Sequence, residues 1–385
     1  MRLIVDRALF EVENEREALD LASLLSKVAR DEHHALLTAP PFLPGGDNGP
    51  LDVWLASQPR HLASAFRTAL ENGLVFAAGP RGRPSTGGGT PLRWNLAGSL
   101  EIRVGRRTAS DWKALELTLS DAVDLLLEPV HLVLENARTD LAFVSHLAGT
   151  TNGASLRRLL DVPGCIQLHG GGSGEVKKWL EALLRELPRP AAWRRMLRAW
   201  VLFDNDAGNL DAREPSSGAS KLMGLCEDII SQHGRGLSWI WLCRREIESY
   251  IPDSGLREEA LAAHNGFVEQ VISWRNAPSR MSWAWALDLK KGLRGDLRDN
   301  LPETDREALK ANKVALQAQM LKAPFSGLSP AEVSTLDRGM SDRLGKALLA
   351  DPERAWTLEL PAEYDRGPST QVSRLSFVQS LFDRM

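Results

Sequence analysis

Between residues 130 and 242 the chain alternates short, unbroken apolar runs with longer segments whose apolar residues recur every three or four positions. VHLVLE, DLAFVSHLAG, CIQLHG, EVKKWLEALLREL, AWVLFDND, KLMGLCEDIISQ and SWIWLC read in turn as strand, helix, strand, helix, strand, helix and strand. That order predicts a parallel sheet with covering helices, and runs without polar interruption predict strands buried on both faces. Residues 2–12 and 99–105 also carry strand patterns, while 14–30 and 58–72 carry helical spacing. Gly/Pro-rich stretches at 39–50 and 79–91 break this first third into short pieces. After residue 255 the pattern is mostly helical, interrupted at RNAPSR and at 323–331. The expected organisation is a small N-terminal α/β domain over 1–125, a Rossmann-like parallel-sheet domain over 126–255 and a mostly helical C-terminal domain over 256–385.

Composition adds limits to this picture. A chain of 385 residues with 43% hydrophobic content can bury two or three cores, so disorder is not the default. A formal net charge of -3 excludes a globally basic surface, and any nucleic-acid contact must be a local patch. The 3 cysteines, Cys165, Cys226 and Cys243, form no CxxC pair, which suits a reducing compartment, and each is expected as a small buried apolar residue. Charge interrupts the first residues too often for the apolar region of a signal peptide, and no stretch of about 18 apolar residues occurs. A soluble, cytoplasmic protein with no membrane partner is expected. Of 12 tryptophans, Trp239, Trp241, Trp274, Trp283 and Trp285 cluster in sequence, and core packing is favoured over base stacking. Arg81, Arg83, Arg103, Arg106 and Arg107 read as scattered surface arginines before they read as a phosphate-facing patch.

The candidate chemistry lies at the strand ends, because ligands of such sheets bind outside the carboxyl ends of the strands. VHLVL closes on Glu135, and AWVLF closes on Asp204, with Asp206 two positions later on the same side of an extended backbone. A lone acidic residue there is as readily a turn or cap residue. Two or three converging carboxylates repel one another unless a hard divalent cation neutralises them, and all-oxygen sites select magnesium or manganese.

VLENARTDLAF followed by VLFDND resembles the Toprim domain shared by topoisomerases, primases and OLD-family nucleases. In that family a glutamate ends the first strand and a DxD pair ends the third, so Glu135 matches the first motif and Asp204 with Asp206 the second. CIQLHGGGSGEVKKWLEAL resembles the strand, glycine turn and helix of the OLD-like branch. LCRREIESYIP resembles its fourth-strand motif, in which a glutamate joins the metal site, with Glu248 the better match and Glu246 the alternative. Asn136 stands where the family has glycine, and Asp140 lies one residue further from Glu135 than the common spacing, which places Asp140 behind the others. ALDLKKGL and LDRGM are similar, more loosely, to OLD-like segments; Lys290 and Lys291 are either phosphate-facing or an ordinary solvated pair.

The resemblance implies a magnesium- or manganese-dependent endonuclease acting on DNA or tRNA by a two-metal mechanism, the effector of a bacterial antiphage system. Glu135, Asp204, Asp206 and Glu248 are then the metal ligands. Lys290, or the Arg244 and Arg245 pair, faces the phosphate. The alternative is a non-catalytic Toprim-like interaction subunit of a larger nucleic-acid-associated complex; primer synthesis ranks third. HGGGSGEV lacks the GK[ST] ending of a P-loop, and GMSDRLGKA at 339–347 has Ala where a hydroxyl should hold magnesium. Any nucleotide hydrolysis is therefore expected in a separate ATPase partner. A homodimer is the default from base rates alone.

Overall fold

A computed structural model describes residues 1–30, 34–37, 49–78, 94–95, 100–205, 216–234, 236–242, 244–293, 325, 327–350 and 381. The chain begins with β1 (Arg2–Val5), α1 (Glu15–Arg30), β2 (His34–Leu37), α2 (Pro50–Ser57), α3 (Arg60–Ala78), β3 (Trp94–Asn95), β4 (Glu101–Val104), β5 (Glu116–Leu117) and α4 (Leu119–Leu127). Strands β2, β1, β4 and β5, in that spatial order, form a wholly parallel sheet. The strand expected over 2–12 stops at Val5. Asp6 accepts a hydrogen bond from the Ala8 N–H, and a 3-10 turn over Arg7–Phe10 carries Leu9 and Phe10 into the core.

The second sheet is built from β6 (Val130–Leu134), α5 (Ala137–Leu160), β7 (Ile166–His169), α6 (Ser173–Glu186), α7 (Pro190–Leu197), β8 (Ala199–Phe203), α8 (Ser217–His233) and β9 (Ser238–Trp241). Its spatial order is β3-β9-β8-β6-β7, parallel throughout except that β3 pairs with β9 in antiparallel sense. β3 comes from the nominal N-terminal segment, so the two regions share this sheet. Every residue of β6, β8 and β9 is buried, as the unbroken apolar runs require. Alternate side chains serve opposite cores: Val130, Leu132, Leu134, Trp200 and Leu202 face one, and Val133, Ala199, Val201 and Phe203 face the other. Each valine, leucine or phenylalanine among them contributes about 1.5–3 kcal/mol by leaving water, an upper figure because the unfolded chain is partly collapsed.

One core joins α6, α7 and α8 to the N-terminal sheet and its helices. The other joins α5 to the helical C-terminal region: α9 (Asp253–Glu259), α10 (Asn265–Asn276), α11 (Met281–Ala286), α12 (Pro330–Leu336) and α13 (Arg343–Ala350). The molecule is thus α/β, with helices on both faces of its central sheet. No helix among the described residues is long and apolar enough to cross a membrane.

Candidate functional site

The chain leaves β6 for β7 on one side and then returns past β6 to β8 on the other, so the strand order reverses between β6 and β8. In open α/β sheets the crevice outside the strand ends at this reversal is where ligands bind. Glu135 follows β6 directly and Asp204 follows β8 directly, with Leu134 paired to Leu202 in the ladder between them. The two carboxylates that the apolar runs pointed to therefore flank the crevice. Asp206 lies outside the described residues.

Glu135 is held from its backbone. The N–H groups of Gly171 and Gly172 both donate to its carbonyl, at 3.0 and 2.7 Å. The turn after β7 thus folds over the end of β6, and it must come close: a Cβ on Gly170 would lie 2.7 Å from the Ala137 nitrogen. These glycine N–H groups are occupied by protein, which explains a phosphate-loop texture without a phosphate-loop role. The next residue, Asn136, caps α5 by accepting from the N–H groups of Arg138 and Thr139. Asp140 accepts the Asn136 N–H at 2.8 Å, so it does serve the helix start, yet it is buried and faces the same cluster as Glu248 and Lys290.

Beyond β9 a turn and a 3-10 helix at Ile247–Tyr250 return the chain to the same sheet end, bringing Glu246 and Glu248 with it. Glu248 has no exposed surface and Glu246 is buried. Glu246 accepts the Leu289 N–H at 2.7 Å. The Lys290 ammonium stands 2.9 Å from one Glu248 carboxylate oxygen, Oε1, and 3.4 Å from Glu246 Oε2. Apart from that ion pair, neither Glu248 oxygen has a hydrogen-bond partner. Lys290 also lies in the field of Asp204, which ties the end of β8 to the same group.

The position of Lys290 is set by two loops far apart in sequence. Asp288 accepts the N–H groups of Lys290 and Lys291, at 3.0 and 2.7 Å, and so shapes the first loop. Met340 and Ser341 donate to the carbonyls of Leu289 and Lys290, which locks the second loop onto the first. The contact is backbone on backbone. Gly292 has φ of 66°, and a Cβ there would lie 2.6 Å from the Gly339 nitrogen. ALDLKKGL and LDRGM, the two loosely resembling segments, are these interlocked loops.

Charge at the cluster follows from burial. Loss of water drives the Asp140 carboxyl up to about 7 against the pull of the Asn136 N–H, with the Glu248 charge adding to the rise. Burial and the neighbouring Glu248 raise Glu246 to about 8. Burial opposes the Lys290 charge, but Glu246, Glu248 and Asp204 outweigh it and hold the ammonium above its ordinary range. The donors are all oxygen, which suits a hard divalent ion, and the buried, unbonded Glu248 carboxylate is the kind of group such an ion would satisfy. Among the described residues, however, no set of three or more His, Cys, Asp or Glu side chains is arranged to hold a metal ion.

Other candidates are placed differently. Arg244 stacks over the rings of Tyr250 and Trp285 and donates to the Ser249 carbonyl, while Arg245 donates to the Ala286 carbonyl and lies 3.8 Å from Asp288. Both arginines brace the turn. Lys291 stays largely exposed, 3.9 Å from Asp288. Trp239, Trp241 and Trp274 are fully buried, in keeping with core packing. Arg106 pairs with Glu13 and Glu17, and Arg107 with Glu116, as scattered surface arginines do; Arg81 and Arg83 lie outside the described residues. Cys226 is buried, Cys165 only partly so, and Cys243 lies outside the described residues. GMSDRLGKA follows α12 and forms the second loop and the start of α13, where no strand leads into it. Reading from sequence missed Asp288 and Ser341, which shape the Lys290 loop; the signal for the first was an Asp two residues before the lysine pair.

No protein-family model matches the chain, and no curated protein or solved structure matches it either.

Proposed function

We propose that the chain is a magnesium- or manganese-dependent nuclease of the Toprim, OLD-like type, hydrolysing phosphodiester bonds of DNA or tRNA. The observation that carries this reading is the gathering of Glu135, Asp204 and Glu248 at one sheet end, joined by Lys290 from the C-terminal region. The three carboxylates follow the first, third and fourth of the sheet's mutually parallel strands in chain order, β6, β8 and β9, the positions at which the resemblance places its acidic motifs. Asp204, Glu135 and Glu248, with Asp206, would hold the ions. Bound there, divalent ions would supply an activated water and charge stabilisation at the phosphate.

The protein's own contribution is positional. The water oxygen attacks phosphorus, the bond to the 3′ oxygen breaks, and that oxygen takes up a proton. The glycine turn fixes Glu135, the 3-10 helix fixes Glu248, and a lysine at the rim meets the non-bridging oxygens. The proton that the water gives up balances the one the 3′ oxygen takes up, while Asp140 accepts the Asn136 N–H and holds the start of α5 against the cluster. An antiphage effector restrained by a separate ATPase chain is the biological setting this reading extends to.

The rival reading, a non-catalytic interaction subunit, is favoured by one observation: Lys290 already pairs with Glu248 and Glu246, at 2.9 and 3.4 Å, without any ion. Cleavage of plasmid DNA and total tRNA with magnesium, manganese or chelator separates the two. Metal-dependent cleavage that falls about 100-fold or more in both Glu135→Ala and Asp204→Ala is the expected result. Cleavage that survives both substitutions sinks the proposed site.

A further inference from the structure

We propose that Lys290 is a tethered cation that occupies the place of a divalent ion among Glu246, Glu248 and Asp204, so that metal binds only as the lysine side chain withdraws. The inference rests on the metal-site reading above and adds its regulation. Glu248 is wholly buried, and a buried carboxylate needs a positive partner. The partner at hand is a single ammonium, 2.9 Å from Oε1, while Oε2 has no hydrogen bond. Lys290 lies in the field of Asp140, Asp204, Glu246 and Glu248. The neighbouring cations are engaged elsewhere, Arg245 and Lys291 both being turned to Asp288. A divalent ion would bring twice the charge to the same carboxylates and would bond oxygens the ammonium leaves unmet.

The geometry also permits the exchange. The Lys290 backbone is pinned at both its N–H and its carbonyl, so the loop need not move. Its side chain is 35% exposed on a flexible four-carbon stem, so the ammonium can leave the carboxylates for solvent. A lysine displaced by the ion would be delivered to the substrate side of the site. The same residue then restrains the apoprotein and assists the loaded one.

The test is titration of the full-length protein with Mn2+ by calorimetry, with thermal melting in parallel, for wild type, Lys290→Met and Glu248→Gln. The tethered cation predicts that Lys290→Met binds Mn2+ at least about tenfold more tightly than wild type and gains more thermal stability from it. Glu248→Gln should weaken binding. If Lys290→Met is unfolded in chelator, recovery of the fold on adding Mn2+ supports the exchange, and failure to recover overturns it. Equal or weaker Mn2+ binding by Lys290→Met overturns it as well, as does absence of Mn2+ binding by both proteins. Cleavage scored on the same samples keeps the two proposals apart. Metal-dependent cleavage by wild type without tighter binding by Lys290→Met removes the exchange and leaves the nuclease; tighter binding with no cleavage on any substrate does the reverse.

Discussion

Glu248 carries its carboxyl group into a place with no exposed surface, where the ionised form is costly unless a cation stands beside it. Removing Lys290 without replacing its charge should therefore cost about 3–5 kcal/mol in the absence of metal, read as a lowered urea midpoint for Lys290→Met in chelator. A second buried polar group behaves differently. His131 Nε2 lies 3.0 Å from Glu128, and its Nδ1 lies 2.9 Å from His169 Nε2. Since a carboxylate can only accept, His131 donates from Nε2 to Glu128, and of the facing nitrogens, His131 Nδ1 and His169 Nε2, one donates to the other. Burial, with the fields of His131 and Arg195, lowers the His169 pKa from 6.5 to about 4. Above pH 6.5 folded and unfolded chains are both neutral at this ring. Between pH 6.5 and 4 the unfolded chain takes a proton that the folded one refuses, so stability falls as pH falls through that window. From pH 7 to 5 wild type should lose about 1 kcal/mol more than His169→Gln, after allowance for solvent on the open side. An unchanged difference would remove the pair as an acid-sensitive element. Glu135 and Asp204 were legible in sequence because each closes an apolar run. The histidine pair was not, because its partners come from different strands and no local period marks them.

At the scale of elements, the long apolar strands and amphipathic helices of the central sheet were legible because burial on both faces writes an unbroken run. The two-residue strands β3 and β5 leave no period to read. The interlocking of the loops around Gly292 and Gly339 was also hidden, since backbone contact between distant segments has no composition signal beyond the glycines themselves. This contact yields a firm expectation. Gly292→Ala places a Cβ 2.5 Å from the Leu336 carbonyl at a positive φ and should destabilise the protein by about 3 kcal/mol, measured by denaturant unfolding. At the turn over Glu135 a Cβ on Gly170 would also meet backbone, 2.7 Å from the Ala137 nitrogen, but without a positive φ. Gly170→Ala should leave the molecule folded while displacing Glu135, lowering metal-dependent cleavage about 10- to 100-fold. Full activity in a folded Gly170→Ala protein would mean that the turn does not position the carboxylate.

The whole molecule joins two sheets and a helical region through two cores, and the candidate site draws on both halves of the second. Glu135 and Asp204 come from the sheet, and Lys290 comes from a loop held by the Met340–Ser341 segment on one side and by Glu246 and Arg245 on the other. The strand order made the location of the site derivable, because the reversal between β6 and β8 defines one crevice. The contribution of residues beyond 255 was legible only as a short lysine-bearing motif, since nothing local states which loop will lie against a sheet end. The most direct test of the account is a crystal structure of the protein with Mn2+, read by anomalous scattering. Manganese bound by Asp204 together with Glu135 or Glu248, with the Lys290 ammonium moved away from Glu248, is the expected result. Manganese absent from that crevice at saturating concentration, with Lys290 still paired to Glu248, would contradict it.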